Sequence, residues 1–238
     1  MWNFKKTHIL LLLCATVFSL ESRAQVGQYR NDLAIGFTGG VNMTSVSFVP
    51  KPKMASLMGE NYGLVIRYTP EKYITAVCSV QIECNYANQG WKEVDDEDPD
   101  TYWKNMKYVQ VPFLTRLAWG KERKGGQGFI TLGPQLGFLL SEKQESTGDW
   151  EESYHTHKYQ YSHDAKNKFD YGIAAGAGFQ YSHPKLGHFQ LEARYYFGLA
   201  NFYDNSSKGY YARSGHSAIS IKLGYLFDVF KTKDSSIK

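Results

Sequence analysis

Long apolar runs are missing from most of this 238-residue chain. Only the stretch from Ile9 to Leu20 forms one, and it is too short to span a bilayer comfortably, since a membrane helix needs about 20 apolar residues. Any crossing after that point must therefore use strands, the other structure whose backbone can be satisfied in hydrocarbon. Cysteine is also scarce, with three in the whole chain. Cys14 lies in the N-terminal segment, while Cys78 and Cys84 stand on one expected strand. Their six-residue separation spans about 20 Å at about 3.3 Å per residue, which excludes a bond between them. Charge of one sign is lacking too. The net charge is +4 with acids and bases intermixed, which gives no basic footprint for nucleic acid. No motif places a nucleophile beside a base, so an enzyme is not expected. Nor is there a phosphate loop: Gly36 to Gly40 and Gly172 to Gly178 are read as strand glycines that ease curvature and close packing.

The N-terminus has the three parts of a cleavable export signal. Lys5 and Lys6 supply the basic start, Ile9 to Leu20 the apolar core, and Ser22-Arg23-Ala24 the small residues before a cut. The expected division is a cleaved signal peptide at 1–24, a barrel at 25–230 and a polar tail at 231–238. Cys14 does not read as a lipoprotein cysteine, because Leu13 precedes it and the apolar run continues through Val17.

The remainder alternates. In the last such segment Ile219, Ile221, Leu223, Tyr225 and Phe227 share one side, and Ser220, Lys222 and Gly224 the other. A period of two is that of a strand with one apolar face. Eight strands are predicted, at 33–43, 61–69, 76–90, 107–119, 128–141, 169–183, 188–202 and 217–230. The connections 44–60, 91–106, 142–168 and 203–216 are long, and the three between them are short. With both termini on the periplasmic side, every long connection faces outward, the asymmetry of outer-membrane barrels. The expected fold is thus all-β: an eight-stranded antiparallel transmembrane up-and-down β-barrel in the bacterial outer membrane, with its lipid as a partner. Pro112 and Pro134 fall inside strands, where each removes a ladder donor, so bulges or unpaired positions are expected there. Trp91, Tyr102, Trp103 and Trp119 lie near strand ends and are expected to form an interfacial girdle.

Five segments fit a known pattern in order and spacing: Gly36-Phe37-Thr38-Gly39-Gly40-Val41-Asn42, Tyr108-Val109-Gln110-Val111-Pro112-Phe113-Leu114, Gly133-Pro134-Gln135-Leu136-Gly137-Phe138-Leu139-Leu140, Gly176-Ala177-Gly178-Phe179-Gln180-Tyr181 and Leu191-Glu192-Ala193-Arg194-Tyr195. Together they make the chain resemble the PorT-like outer-membrane β-barrel proteins of the Bacteroidota, often labelled "porin family". The resemblance spans nearly all of the mature chain and implies an eight-stranded barrel. It brings no catalytic residues. The best-known relatives assist a protein-secretion system, so envelope or secretion proteins are the partners it implies.

Glu83, Arg116, Glu192, Arg194 and Lys222 occupy the polar faces and would point into the lumen. Either they line a solute path or they pair within a filled interior. Eight strands leave a lumen just wide enough for side chains to fill, which favours pairing. In the expected outer loops, Asp95, Asp96, Glu97, Asp98 and Asp100 lack the ligand spacing of a calcium loop and read as a solvated charge run. His155, His157 and His163 have neither a partner cysteine nor compact zinc spacing. The same loop carries Trp150, Tyr154, Tyr159 and Tyr161, aromatic enough to meet a partner or glycan. No metal or cofactor is expected. The leading function is structural or interactive through the outer loops, assisting secretion or envelope assembly. The alternatives are a narrow channel for small solutes and a soluble periplasmic barrel binding an apolar ligand.

Overall fold

The computed structural model describes residues 28–49, 54–73, 75–94, 101–146, 167–201 and 213–232. The proposed signal peptide and most of the outer-loop sequence, including the acidic run and the loop histidines, lie outside the described residues. Eight strands follow in chain order: β1 (Gln28–Val49), β2 (Met54–Tyr73), β3 (Ala76–Val94), β4 (Thr101–Gly120), β5 (Gly125–Ser146), β6 (Phe169–His183), β7 (Gly187–Gly198) and β8 (Arg213–Phe230). Each pairs antiparallel with its chain neighbour, and β8 returns to β1 to close the ring.

The register sets the shape. Starting at Leu33, paired residues run through Tyr68, Val80, Thr115, Leu132, Ala175, Tyr195 and Ile219, and come back to β1 at Met43. One circuit therefore climbs ten residues. At about 3.3 Å per residue against eight interstrand spacings of about 4.8 Å, the strands tilt by about 40°. A transmembrane strand at such a tilt crosses hydrocarbon in about 9–11 residues. Strands of 20 and 22 residues, such as β2 and β1, run well past that.

Several predicted boundaries are corrected by this pairing. The connection expected at 44–60 is largely strand, since β1 extends to Val49 and β2 starts at Met54. Strand two, expected only at 61–69, spans 20 residues. Beyond the bilayer the apolar alternation fades, yet backbone pairing with a neighbour continues. Strand seven ends earlier than expected, at Gly198.

The prolines behave in the second of the two expected ways. Paired positions stop at Pro112↔Gln135 and resume at Thr115↔Leu132, three residues further on each strand, so register is kept. Ladder pairing is interrupted around Pro112 on the β3 side and around Pro134 on the β4 side, without a bulge. The register shift of the β4–β5 pair lies outside the prolines, between Lys107 and Tyr108, and a further shift flanks Pro70 on β2, between Tyr68 and Glu71.

Side-chain exposure follows the alternation. Along β6 and β7 the faces carrying Tyr171, Ile173 and Phe179, or Leu191 and Tyr195, are exposed, while Asp170, Gln180, Glu192 and Arg194 are buried. Polar side chains inside and apolar ones outside invert the plan of a water-soluble barrel. Trp91 is the exception among the girdle candidates. It is 0% exposed and faces inward, because it shares parity with Glu83, Asn85 and Gln89 on β3. Trp119 is exposed, and half-buried Trp103 donates its indole N–H to Glu145 at 3.0 Å. The side chain of Tyr102 lies outside the described set.

Candidate functional site

The inward faces converge on the lumen axis, where the polar residues stack in tiers. In the middle tier Glu83 of β3 meets two cations from across the barrel. Arg194 of β7 forks onto it, with Nη1 donating to Oε2 at 2.9 Å and Nη2 to Oε1 at 2.6 Å. Lys222 of β8 donates to Oε2 at 2.7 Å. The amides of Gln81 and Asn85 complete its shell at 2.6 and 2.8 Å. Arg194 also holds Glu192 at 2.8–3.0 Å, and Thr131 of β5 donates to the same carboxylate at 2.8 Å. Two carboxylates and two cations thus form one closed network, the arrangement in which buried charge is tolerable. Four of the five residues singled out from the sequence are brought together here.

Arg116 is not among them. It lies one tier nearer the periplasmic end, donates to Gln180 at 3.0 Å, and stacks over Phe129 at 4.3 Å from the ring centroid. Beside it is Arg67 of β2, a buried residue absent from the predicted set. Arg67 donates through Nε to Gln81 at 2.9 Å, through Nη1 to Gln180 at 2.6 Å, and through Nη2 to Gln190. Its signal was present: Val65, Arg67 and Thr69 share the parity of the inward-facing Asn61. The strand expected at 61–69 already contained it, on the face opposite Tyr62, Leu64, Ile66 and Tyr68.

Toward the outer end, Tyr108 of β4 bonds His216 of β8 at 3.3 Å, with the rings edge to face. Tyr196 donates to Asp170 at 2.9 Å beside them. In a ring of eight, strands four places apart are diametrically opposed. Arg67–Gln180 joins β2 to β6, Glu83–Arg194 joins β3 to β7, and Tyr108–His216 joins β4 to β8. Three direct ties therefore cross the full lumen at three heights, and each spans the cross-section.

At the periplasmic rim the charges are again paired. Arg123 meets Asp32 at 3.2 Å, Lys72 meets Glu122 at 2.5 Å, and Asp228 takes both His188 at 2.9 Å and Lys231 at 3.1 Å. Above this rim lies a polar cavity of about 50 Å³ that reaches Arg67 and Arg116. Among the described residues no group of three or more His, Cys, Asp or Glu side chains could hold a metal ion. Cys78 and Cys84, both on the outward face of β3, are free thiols.

Residues 23–204 match the family model "Outer membrane protein beta-barrel domain". No curated protein matches the chain significantly. Among solved structures, the outer membrane protein OprG from Pseudomonas aeruginosa is similar at 15% identity, over 84% of this chain and 98% of that one, with a TM-score of 0.48. Ail, the attachment invasion locus protein of Yersinia pestis, in complex with the heparin analogue sucrose octasulfate, is similar at 15% identity over 83% and 99%, with a TM-score of 0.38. The N-terminal β-barrel domain of Pseudomonas aeruginosa OprF is similar at 13% identity over 84% and 100%, with a TM-score of 0.36.

Proposed function

Given that the chain belongs to the outer membrane protein β-barrel domain family, and so sits in the bacterial outer membrane, we propose that its barrel is a sealed anchor whose work is done by the outer connections. One observation carries this reading. Hydrogen bonds join diametrically opposite strands at three heights, so a solute path would require breaking them. The middle tie is a bidentate Arg–carboxylate pair, the strongest and most geometrically specific of the side-chain pairs. A filled lumen leaves the outer connections as the surface available to partners. Those connections include the aromatic stretch with Trp150, Tyr154, Tyr159 and Tyr161. The resemblance to PorT-like barrels supports an envelope or secretion protein as the partner. In this reading the protein is neither a channel nor an enzyme.

Single-channel recording of the purified protein in planar bilayers tests the seal. Silence at all voltages is expected, and sustained conductance would replace the anchor with a narrow solute channel. Crosslinking in intact cells from a tag in the 142–168 connection, followed by recovery of the tagged protein, tests the partner arm. Recovery of a distinct envelope protein is expected, and recovery of the barrel alone would remove the interaction role.

A further inference from the structure

The lower tier of the lumen carries a charge imbalance that the middle tier does not. In the middle, Glu83 and Glu192 stand against Arg194 and Lys222. Beneath them Arg67 and Arg116 are 4% and 2% exposed, and among the described residues their guanidiniums donate only to neutral glutamine oxygens. Two of these bonds, at 2.6 and 3.0 Å, converge on the single Oε1 of Gln180. The two donor nitrogens can therefore be no farther apart than those lengths added together. Two like charges share one neutral acceptor, and the buried Nε of Arg116 has no hydrogen-bond partner among the described residues. Buried charges are ordinarily paired or bound to a counter-ion.

The space for a counter-ion is there. The cavity of about 50 Å³ is lined by both arginines, by the hydroxyls of Thr69 and Ser79, and by Gln127. One water needs about 10–15 Å³ of such space, so several heavy atoms fit. The carboxylates that also line it, Asp32, Glu122 and Asp228, are each engaged by a rim cation: Arg123, Lys72 and Lys231. What remains inside is donor-rich and positive. Guanidinium N–H groups match the oxygens of a tetrahedral oxyanion, and here one nitrogen of each arginine already converges on a single acceptor oxygen.

We propose that this cavity is a binding site for a small inorganic oxyanion of the phosphate or sulfate class, held by Arg67 and Arg116 and reached from the periplasmic end. The test is the apparent melting temperature of the detergent-purified mature protein, read by the gel shift between folded and heat-unfolded forms. It is titrated with phosphate and with sulfate against sodium gluconate of matched ionic strength. A saturable rise of about 3 °C or more is expected for each oxyanion and none for gluconate, which is too large to enter. Arg116→Gln should lose the response. Gln180→Glu supplies a built-in carboxylate between the two guanidiniums, so it should melt higher than wild type without added anion and should no longer respond. This second variant decides the matter should Arg116→Gln fail to fold. An equal rise in gluconate would reduce the effect to ionic screening. That result, the absence of any rise, or a Gln180→Glu protein that keeps the wild-type response would overturn the site.

Discussion

Replacing Arg194 by Ala removes the strut that joins β7 to β3, and the structure sets the size of the effect. Glu83 keeps Lys222 at 2.7 Å and the amides of Gln81 and Asn85, so it remains compensated. Glu192 does not. It is 1% exposed, and among the described side chains it would retain only the Thr131 hydroxyl at 2.8 Å. Removing one partner of a buried ion pair costs about 3–5 kcal/mol, against less than about 1 kcal/mol for an exposed pair. At about 2–4 °C per kcal/mol for a domain of this size, the apparent melting temperature should fall by about 6–20 °C. Urea titration of the folded fraction in detergent micelles gives the same quantity independently of heating. The sharper test is the double variant Glu192→Gln, Arg194→Ala. With both members neutral, the Glu83–Lys222 pair stays balanced, and all but about 1–2 kcal/mol of the loss should return. If Arg194→Ala left melting and conductance unchanged, or if the Glu192→Gln change added to the loss instead of reversing it, the filled and paired interior would be the wrong description.

Two further outcomes probe the outside and the seam. Ile221 faces outward between the paired residues Val41 and Ala193, so Ile221→Arg should cost about 2–4 kcal/mol in folding into vesicles if this face meets hydrocarbon. A loss below about 1 kcal/mol would place the residue outside the apolar band. Gly40 and Gly39 form a matched pair on β1. A Cβ on Gly40 would meet the Ile221 carbonyl oxygen at 2.0 Å and Lys222 Cα at 2.8 Å, both backbone atoms of the closing strand, whereas a Cβ on Gly39 meets nothing within 4 Å. Gly40→Ala should therefore destabilise the β1–β8 closure by about 1–3 kcal/mol while Gly39→Ala leaves it unchanged, as read by the heat-induced gel shift.

Parity was the part of the structure that could be read along the chain. Lipid on one side and a narrow lumen on the other penalise any slip of a single residue, because a slip moves every charge to the wrong face. Alternation therefore carried the strand count, the antiparallel order, the outward face and the inward direction of Glu83, Glu192, Arg194 and Lys222. The same rule, carried six residues past Asn85, would have turned Trp91 inward, and applied within 61–69 it brings out Arg67. Proximity to a strand end prevailed in the first case, whereas Arg67 lies inside the strand expected at 61–69 and carried the same parity signal. Strand limits themselves were poorly legible, since pairing outlasts the apolar band that makes alternation visible.

Which inward residues touch is a different matter, and only closure decides it. The ten-residue stagger of the ring sets the height at which each side chain enters the lumen. It brings residue 83 to residues 194 and 222, and residue 67 to residue 180, across sequence separations that no local pattern encodes. One face of each strand follows from the residue order, because side chains alternate wherever the backbone is extended. Balanced charge in the middle tier and surplus positive charge beneath it follow from the register of eight strands at once, because that register alone fixes which charges share the small space inside.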